Sequence, residues 1–215
     1  MSAKQDDSSL AAVLARIGQL NNTAQKSTPQ VLKAILKTVV EMLTDRGYTD
    51  IQSCQTTDEV TRNMEDTKAV VSGGGPASVS VYFHKEDKVG IKQLRTWLQT
   101  TTSDAMIIVS LEGPTPFTRR EADTNNHNVQ FFYHKELSNN ITKHSAVPLH
   151  EKMTETQRRD CPHTERVESL PMLYTNDPVA KYYAYGPGDI IRITRTAGVQ
   201  QPVYYYRAVK LAPAT

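Results

Sequence analysis

Residues 170–195 constrain the fold of this chain more than any other stretch. Leu170-Pro-Met-Leu-Tyr-Thr-Asn-Asp-Pro-Val-Ala-Lys-Tyr-Tyr183 is followed at once by Gly188-Asp-Ile-Ile-Arg-Ile-Thr-Arg195. Asp177 is placed to cap a helix, and Pro178 to fill its first turn, where a missing N–H costs nothing. Val179, Ala180, Tyr182 and Tyr183 then supply an apolar face. Gly186-Pro187-Gly188 is the expected stop and turn. Ile190, Ile191 and Ile193 open a β-branched strand, with Arg192 and Arg195 interleaved. None of these residues is a nucleophile, an acid–base pair or a metal ligand. The unit reads as one built for packing and docking.

A second helix start is legible at Thr28-Pro29. Val31, Leu32, Ile35, Leu36, Val39, Val40, Met42 and Leu43 form its apolar stripe, and Gly47 ends it. Leu10, Val13, Leu14, Ile17 and Leu20 carry helical spacing over a shorter segment. A short helix is expected within 56–66, and a flexible turn at Ser72-Gly-Gly-Gly-Pro76. Val79, Val81 and Phe83 alternate as in a strand. Ile91, Leu94, Trp97 and Leu98 form the inner face of a helix. Ala105 to Leu111 is a continuous apolar run, as in a strand covered on both faces. Asn128 to Tyr133 is a further strand, as are 189–196 and 202–210. Alternating helices and buried strands predict an α/β architecture for residues 28–141. A small α+β domain with a mixed sheet is expected over 142–215, after a disordered or helical extension over 1–27.

Composition narrows the function classes. The 215 residues are 38% hydrophobic with a net charge of +2, so the whole chain is no polyanion binder. The charge is nearly even, −1 for residues 1–141 and +3 for 142–215. Cys54 and Cys161 are the two cysteines, which suits a reducing compartment rather than a disulfide scaffold. The polar N-terminus carries no signal core, and no apolar run approaches the about 20 residues of a membrane helix. An intracellular, soluble chain is expected, and the sequons at Asn21 and Asn140 are read as chance.

Candidates for chemistry are few. No G-x-S-x-G or phosphate-loop lysine motif occurs. Asp104 and Glu112 flank the apolar strand and define the rival reading, a metal-dependent nuclease-like site. His144, His150, Cys161 and His163 lie close in sequence but lack paired zinc spacing, so surface histidines are the reading preferred. Gly113-Pro-Thr-Pro-Phe-Thr-Arg-Arg120 reads as a loop projecting from a buried strand, with two arginines for phosphates and hydroxyls at Thr115 and Thr118. Tyr182, Tyr183, Tyr185, Tyr204, Tyr205 and Tyr206 divide between a small core and a partner-facing surface.

The pattern L-P-x-x-x-x-x-D-P-V-A-x-Y-Y, then G-D-I-I-R-I-T-R and a tyrosine-rich last strand, resembles the C-terminal domain of the fifth-largest subunit shared by eukaryotic nuclear RNA polymerases. The archaeal RNA polymerase has a small subunit consisting of the same domain. Thr38-Val-Val-Glu-Met-Leu-Thr-Asp-Arg-Gly-Tyr48 resembles the first helix of the eukaryotic subunit's jaw domain. Val147-Pro-Leu-His150 resembles the family's V-P-x-H lead-in. The chain departs at Met153–Thr164, which lacks the leucines of the family's helix there and carries Pro162, which would interrupt a helix. It is similar to the family as a divergent member.

The resemblance implies a non-catalytic polymerase subunit that acts in transcription in the nucleus, or the nucleolus if it serves the ribosomal-RNA polymerase. It implies no cofactor, metal, membrane or small-molecule ligand. The jaw domain is expected near downstream DNA, with backbone contact from Thr115, Pro116, Phe117, Thr118, Arg119 and Arg120. The C-terminal domain is expected to dock on the largest subunit and its neighbours. The residues involved are Pro148, His150, Leu170, Pro171, Asp177, Pro178, Tyr182, Tyr183, Arg192, Arg195, Tyr205 and Arg207. A free-standing adaptor is the third reading, kept open by the altered 153–164 segment.

Overall fold

The computed structural model describes residues 29–66, 68–75, 77–86, 88–124, 128–161, 167–196 and 201–213. The expected segment Leu10–Leu20, the cap at Thr28, and Pro76, Pro162 and His163 lie outside them.

The first helix, α1 (Pro29–Asp45), turns Leu32, Ile35, Val39, Met42 and Leu43 inward on a 3.6-residue period. It ends as Gly47 permits. Gly47 adopts φ 86°, its N–H bonds Thr44 O at 2.9 Å, and Tyr48 N–H bonds Leu43 O at 3.0 Å. This paired closure, with a left-handed residue just past the cap, leaves Arg46 at the cap position itself. After β1 (Thr49–Ser53), α2 (Thr57–Glu65) opens with a capping box between Thr56 and Glu59.

Five strands form the first sheet in the order β1-β2-β3-β4-β5, with β2 (Val71–Gly74), β3 (Val79–Phe83), β4 (Ala105–Ser110) and β5 (Asn128–Tyr133). The pairs β1/β2 and β2/β3 are antiparallel, and β3/β4 and β4/β5 are parallel. Parallel neighbours need crossovers, which α3 (Ile91–Thr100) and α4 (Pro116–Thr124) provide. Side-chain alternation splits the sheet between two cores. Val79, Val81, Phe83, Ile107 and Val109 pack with α1 and α2. Tyr82, Met106 and Ile108 pack with Leu94 and Trp97 of α3 and Ala122 of α4. β4 is thus covered on both faces, which is why its sequence is apolar throughout.

The Ser72–Pro76 stretch, expected as a flexible turn, is a strand through Gly74. Gly73 is needed there because a Cβ would lie 3.1 Å from Val79 Cγ1 and 3.3 Å from Tyr48 Cβ. The glycine run serves close packing of Tyr48 against the sheet.

After α5 (His134–Leu137) the chain passes to a second, four-stranded sheet of order β6-β8-β9-β7. Its strands are β6 (Leu149–Lys152), β7 (Met172–Tyr174), β8 (Ile190–Arg195) and β9 (Val203–Lys210). β7 pairs parallel to β9, and the other neighbours are antiparallel, so the sheet is mixed as expected. The 153–164 stretch holds α6 (Glu155–Arg159), capped by Thr154 and Gln157. The two sheets and their helices bear out the α/β plus small α+β architecture.

The helix α7 (Pro178–Tyr182) begins as its sequence predicts, with Asp177 Oδ1 accepting from Val179 N–H at 2.9 Å and Ala180 N–H at 3.3 Å. It does not stop at Gly186–Gly188. Ala184 takes φ 55°, Tyr185 N–H bonds Ala180 O at 2.9 Å and Ala184 N–H bonds Lys181 O at 3.2 Å. This is the closure used by α1, with alanine in the place that favours glycine. Ala184→Gly is expected to raise stability by about 0.5–1 kcal/mol, the relieved strain exceeding glycine's added chain entropy; an unchanged or lower urea midpoint contradicts it.

His134 is buried at the start of α5, and burial pulls its pKa from 6.5 down to about 4. The unfolded chain therefore takes up a proton first as pH falls. His134's contribution is full above pH 6.5 and is lost as pH falls toward 4. An imidazole titration followed by NMR in the folded chain is expected to show a midpoint well below 6.5; an ordinary midpoint rules this out.

Candidate functional site

Two segments read as separate units in sequence, 38–48 and 170–195, meet in space. Arg46, at the cap of α1, donates from Nε to Tyr182 O at 2.7 Å and from Nη2 to Lys181 O at 2.9 Å. Those carbonyls end α7, where Lys181 O has the Ala184 N–H of the closing turn and Tyr182 O has no backbone donor among the described residues. A cation is also favoured at that end of the helix. Nη2 reaches Gln130 Oε1 of β5 at 3.0 Å as well, and the guanidinium lies 6.0 Å from the Phe132 ring centroid. Burial without a carboxylate partner brings the Arg46 pKa down to about 10.

A ring of hydrogen bonds surrounds this contact. Tyr182 is 3% exposed, and its hydroxyl donates to Asp45 Oδ2 at 2.7 Å. Asn140 Nδ2 donates to that hydroxyl at 3.0 Å and to Glu41 Oε2 at 2.8 Å. Burial first, and then the Asp45 bond, push the Tyr182 hydroxyl well above the usual phenol range. Asn140 and the adjacent Lys143, which pairs with Glu41 at 2.7 Å, hold the Glu41 carboxyl below its usual value. Lys181 bonds Glu136 Oε2 at 2.7 Å and stands 4.5 Å from the Phe132 centroid. Burial lowers the Lys181 pKa, and Glu136 opposes that shift.

The other docking candidates fall on the second sheet. Register places Leu149, Glu151, Arg192, Tyr204, Tyr206 and Met172 on one face, because directly opposed residues share a side. Leu149, Met172, Tyr174 and Tyr204 are exposed. The opposite face packs Ile191, Ile193, Leu173 and Val209 against Ala180 and Tyr185. Tyr183 stacks on Tyr185 at 5.3 Å. Arg192 bonds Glu151 at 2.9 Å, Arg195 lies 5.1 Å over Tyr205, and Arg207 donates to Met172 O at 3.0 Å. The three arginines therefore have partners within the chain. Asp177 and Pro178 form the start of α7, Pro148 O lies 2.7 Å from His150 Nδ1, and His150 O accepts from the Tyr185 hydroxyl at 3.1 Å. Leu170 is half-buried and Pro171 exposed beside β7.

The DNA candidates are not on a loop. Thr115 caps α4, accepting at Oγ1 from Thr118 N–H at 3.3 Å, and Pro116 occupies the first helical position. Thr118 is fully buried and donates to Val89 O at 3.0 Å, so its hydroxyl points inward. Phe117 is 70% exposed, and Arg119 and Arg120 are exposed beside it.

The nuclease pair does not converge. Asp104 precedes β4 and accepts from Ser78 N and Oγ, both at 2.8 Å. Glu112 follows β4 and pairs with Lys88 at 3.3 Å, so the six residues of β4, about 20 Å of strand, lie between them. Among the described residues, no group of three His, Cys, Asp or Glu is placed to hold a metal ion.

Residues 139–209 match the family model described as RNA polymerase Rpb5, C-terminal domain. Across most of the chain, "DNA-directed RNA polymerases I, II, and III subunit rpabc1" of Dictyostelium discoideum is 30% identical over 182 residues, 78% of this chain and 92% of the relative. The chain belongs to the RNA polymerase Rpb5 family. The subunit RPABC1 of Caenorhabditis elegans polymerases I, II and III is 27% identical over 202 residues, covering 81% of this chain and 93% of the relative. A "putative DNA-directed RNA polymerase subunit 454R" of Invertebrate iridescent virus 6 is 30% identical over 93 residues, 38% of this chain and 48% of the relative.

In this Rpb5-family chain the contact between the lobes was missed by sequence reading. The available signal was an arginine just before the helix-ending Gly47, with no acidic residue three or four positions before it in the helix. Arg46→Ala strips Tyr182 O of its donor, leaves Lys181 O with the Ala184 N–H, and is expected to cost about 2–3 kcal/mol, while Tyr182→Phe costs about 1 kcal/mol. Urea unfolding measures both, and equal costs contradict the assignment of Arg46 as the main contact.

Proposed function

We propose that this chain is a non-catalytic subunit of a DNA-directed RNA polymerase, working in the nucleus. The observation that carries the reading is the Dictyostelium relative, named as a subunit of polymerases I, II and III, of which this chain covers 92%. The proposed division is a jaw over 28–141 and a docking domain over 142–215, supported by two sheets that share no strand. The docking domain binds the largest subunit. Exposed Leu149, Met172, Tyr174 and Tyr204 support this, since apolar and aromatic groups on an open sheet face favour a protein partner. The jaw lies beside downstream duplex DNA, with Arg119 and Arg120 on the first turns of α4 facing the phosphates and Phe117 exposed between them and the cap. Such contact is independent of base sequence and weakens with salt.

Co-purification tests the reading. The tagged chain is expected to carry polymerase subunits with it, and Met172→Asp with Tyr204→Asp to release them without moving the urea midpoint. Catalysis of nucleotidyl transfer by the isolated chain, or failure to associate with polymerase, overturns it. In the assembled polymerase, Arg119→Ala with Arg120→Ala should lower the slope of log affinity against log salt by about 2, at roughly 0.9 per phosphate contact. An unchanged slope removes these arginines from the DNA contact.

A further inference from the structure

We infer that the cleft beside Arg46 is a binding site for a small oxyanion, a phosphate or carboxylate group. The cleft has a volume of about 230 Å³ and opens between the end of α1, the starts of β4 and β5, and the end of α7. Arg46, Tyr48, Asn128, Gln130 and Tyr183 supply its polar lining, with Ala105 and Ile107 on its floor. No described residue of the lining is acidic.

The hydrogen bonding of Arg46 is incomplete in one direction. Nε and Nη2 are committed to Tyr182 O, Lys181 O and Gln130 Oε1. Nη1 has no partner among the described residues, and it carries two N–H donors. Gln130 turns its Oε1 toward Arg46, so its amide nitrogen is left as a donor. Asn128 and Tyr48, which carry an amide and a hydroxyl donor, also line the cleft. A guanidinium without a carboxylate neighbour, set among neutral donors, selects an oxyanion, because charge-assisted bonds to carboxylate and phosphate are its strongest. The space is below the about 300 Å³ at which drug-sized pockets begin, so it suits an ion or a short acidic group. An anion there touches α1, β5 and the end of α7, and so bridges both lobes.

The full chain is titrated with inorganic phosphate, and separately with acetate, against chloride at matched ionic strength, with Tm as readout. A ligand that binds only the folded chain raises Tm with its concentration. Phosphate is expected to raise Tm where chloride does not, and the acetate arm distinguishes phosphate from carboxylate selectivity. Gln130→Glu keeps the hydrogen bond to Arg46 while placing a carboxylate in the cleft. It is expected to weaken phosphate binding by about tenfold or more, about 1.4 kcal/mol. Asn128→Asp adds negative charge from β5 without touching the contact between the lobes and is expected to act the same way. Equal responses to phosphate, acetate and chloride overturn the inference, as does an undiminished phosphate response in Gln130→Glu and Asn128→Asp.

Discussion

The arrangement of the two lobes depends on a guanidinium seated on the last carbonyls of a five-residue helix. A helix that short has no stability of its own. Its start is held by Asp177, but at its end Tyr182 O has no backbone donor among the described residues. Arg46 supplies the donor from the other lobe, and it stands there because Gly47 closes α1 in a left-handed turn. One glycine's backbone thus sets the neighbouring Arg46 charge on carbonyls 135 and 136 residues along the chain from that arginine.

The same helix belongs to both cores. Tyr182 packs with α1 and β5, while Ala180 and Tyr185 pack on the second sheet. The second sheet is therefore joined to the first lobe through packed side chains rather than a free linker. Under the proposed function, anchoring by the second lobe sets the direction in which the first lobe points. On the face turned away from α7, Ile190 and Ala208 are buried while Leu149, Met172, Tyr174 and Tyr204 are exposed.

Much of this was legible where the local signal and the tertiary demand agreed. β4 runs Ala105–Ser110, close to its apolar limits in sequence, because burial on both faces permits little else. The Asp177-Pro178 helix start held for the same reason, since capping is a local bond. Thr115-Pro116 carries the same grammar and is also a helix start, but Gly113 and Pro114 beside it suggested a loop. The glycines of β2 were misread because they answer to Tyr48 and Val79, which are distant in sequence or across the sheet. Ala184 carried no stop signal at all. Its left-handed turn is imposed by tertiary packing that ends α7 under Arg46.

What the residues alone determined is the identity of the elements and the family. Capping groups, apolar periods and β-branched runs act over a few positions, and the motifs at 38–48 and 170–195 are strings of such positions. What the tertiary structure decided is which charged and polar groups meet. Asp45, Arg46, Asn140 and Lys181 carry no local signal of a shared role, and Tyr182 reads only as part of an apolar helix face. Their roles arise only when chain closure brings helix ends together, so that carbonyls, a guanidinium and a phenol satisfy one another.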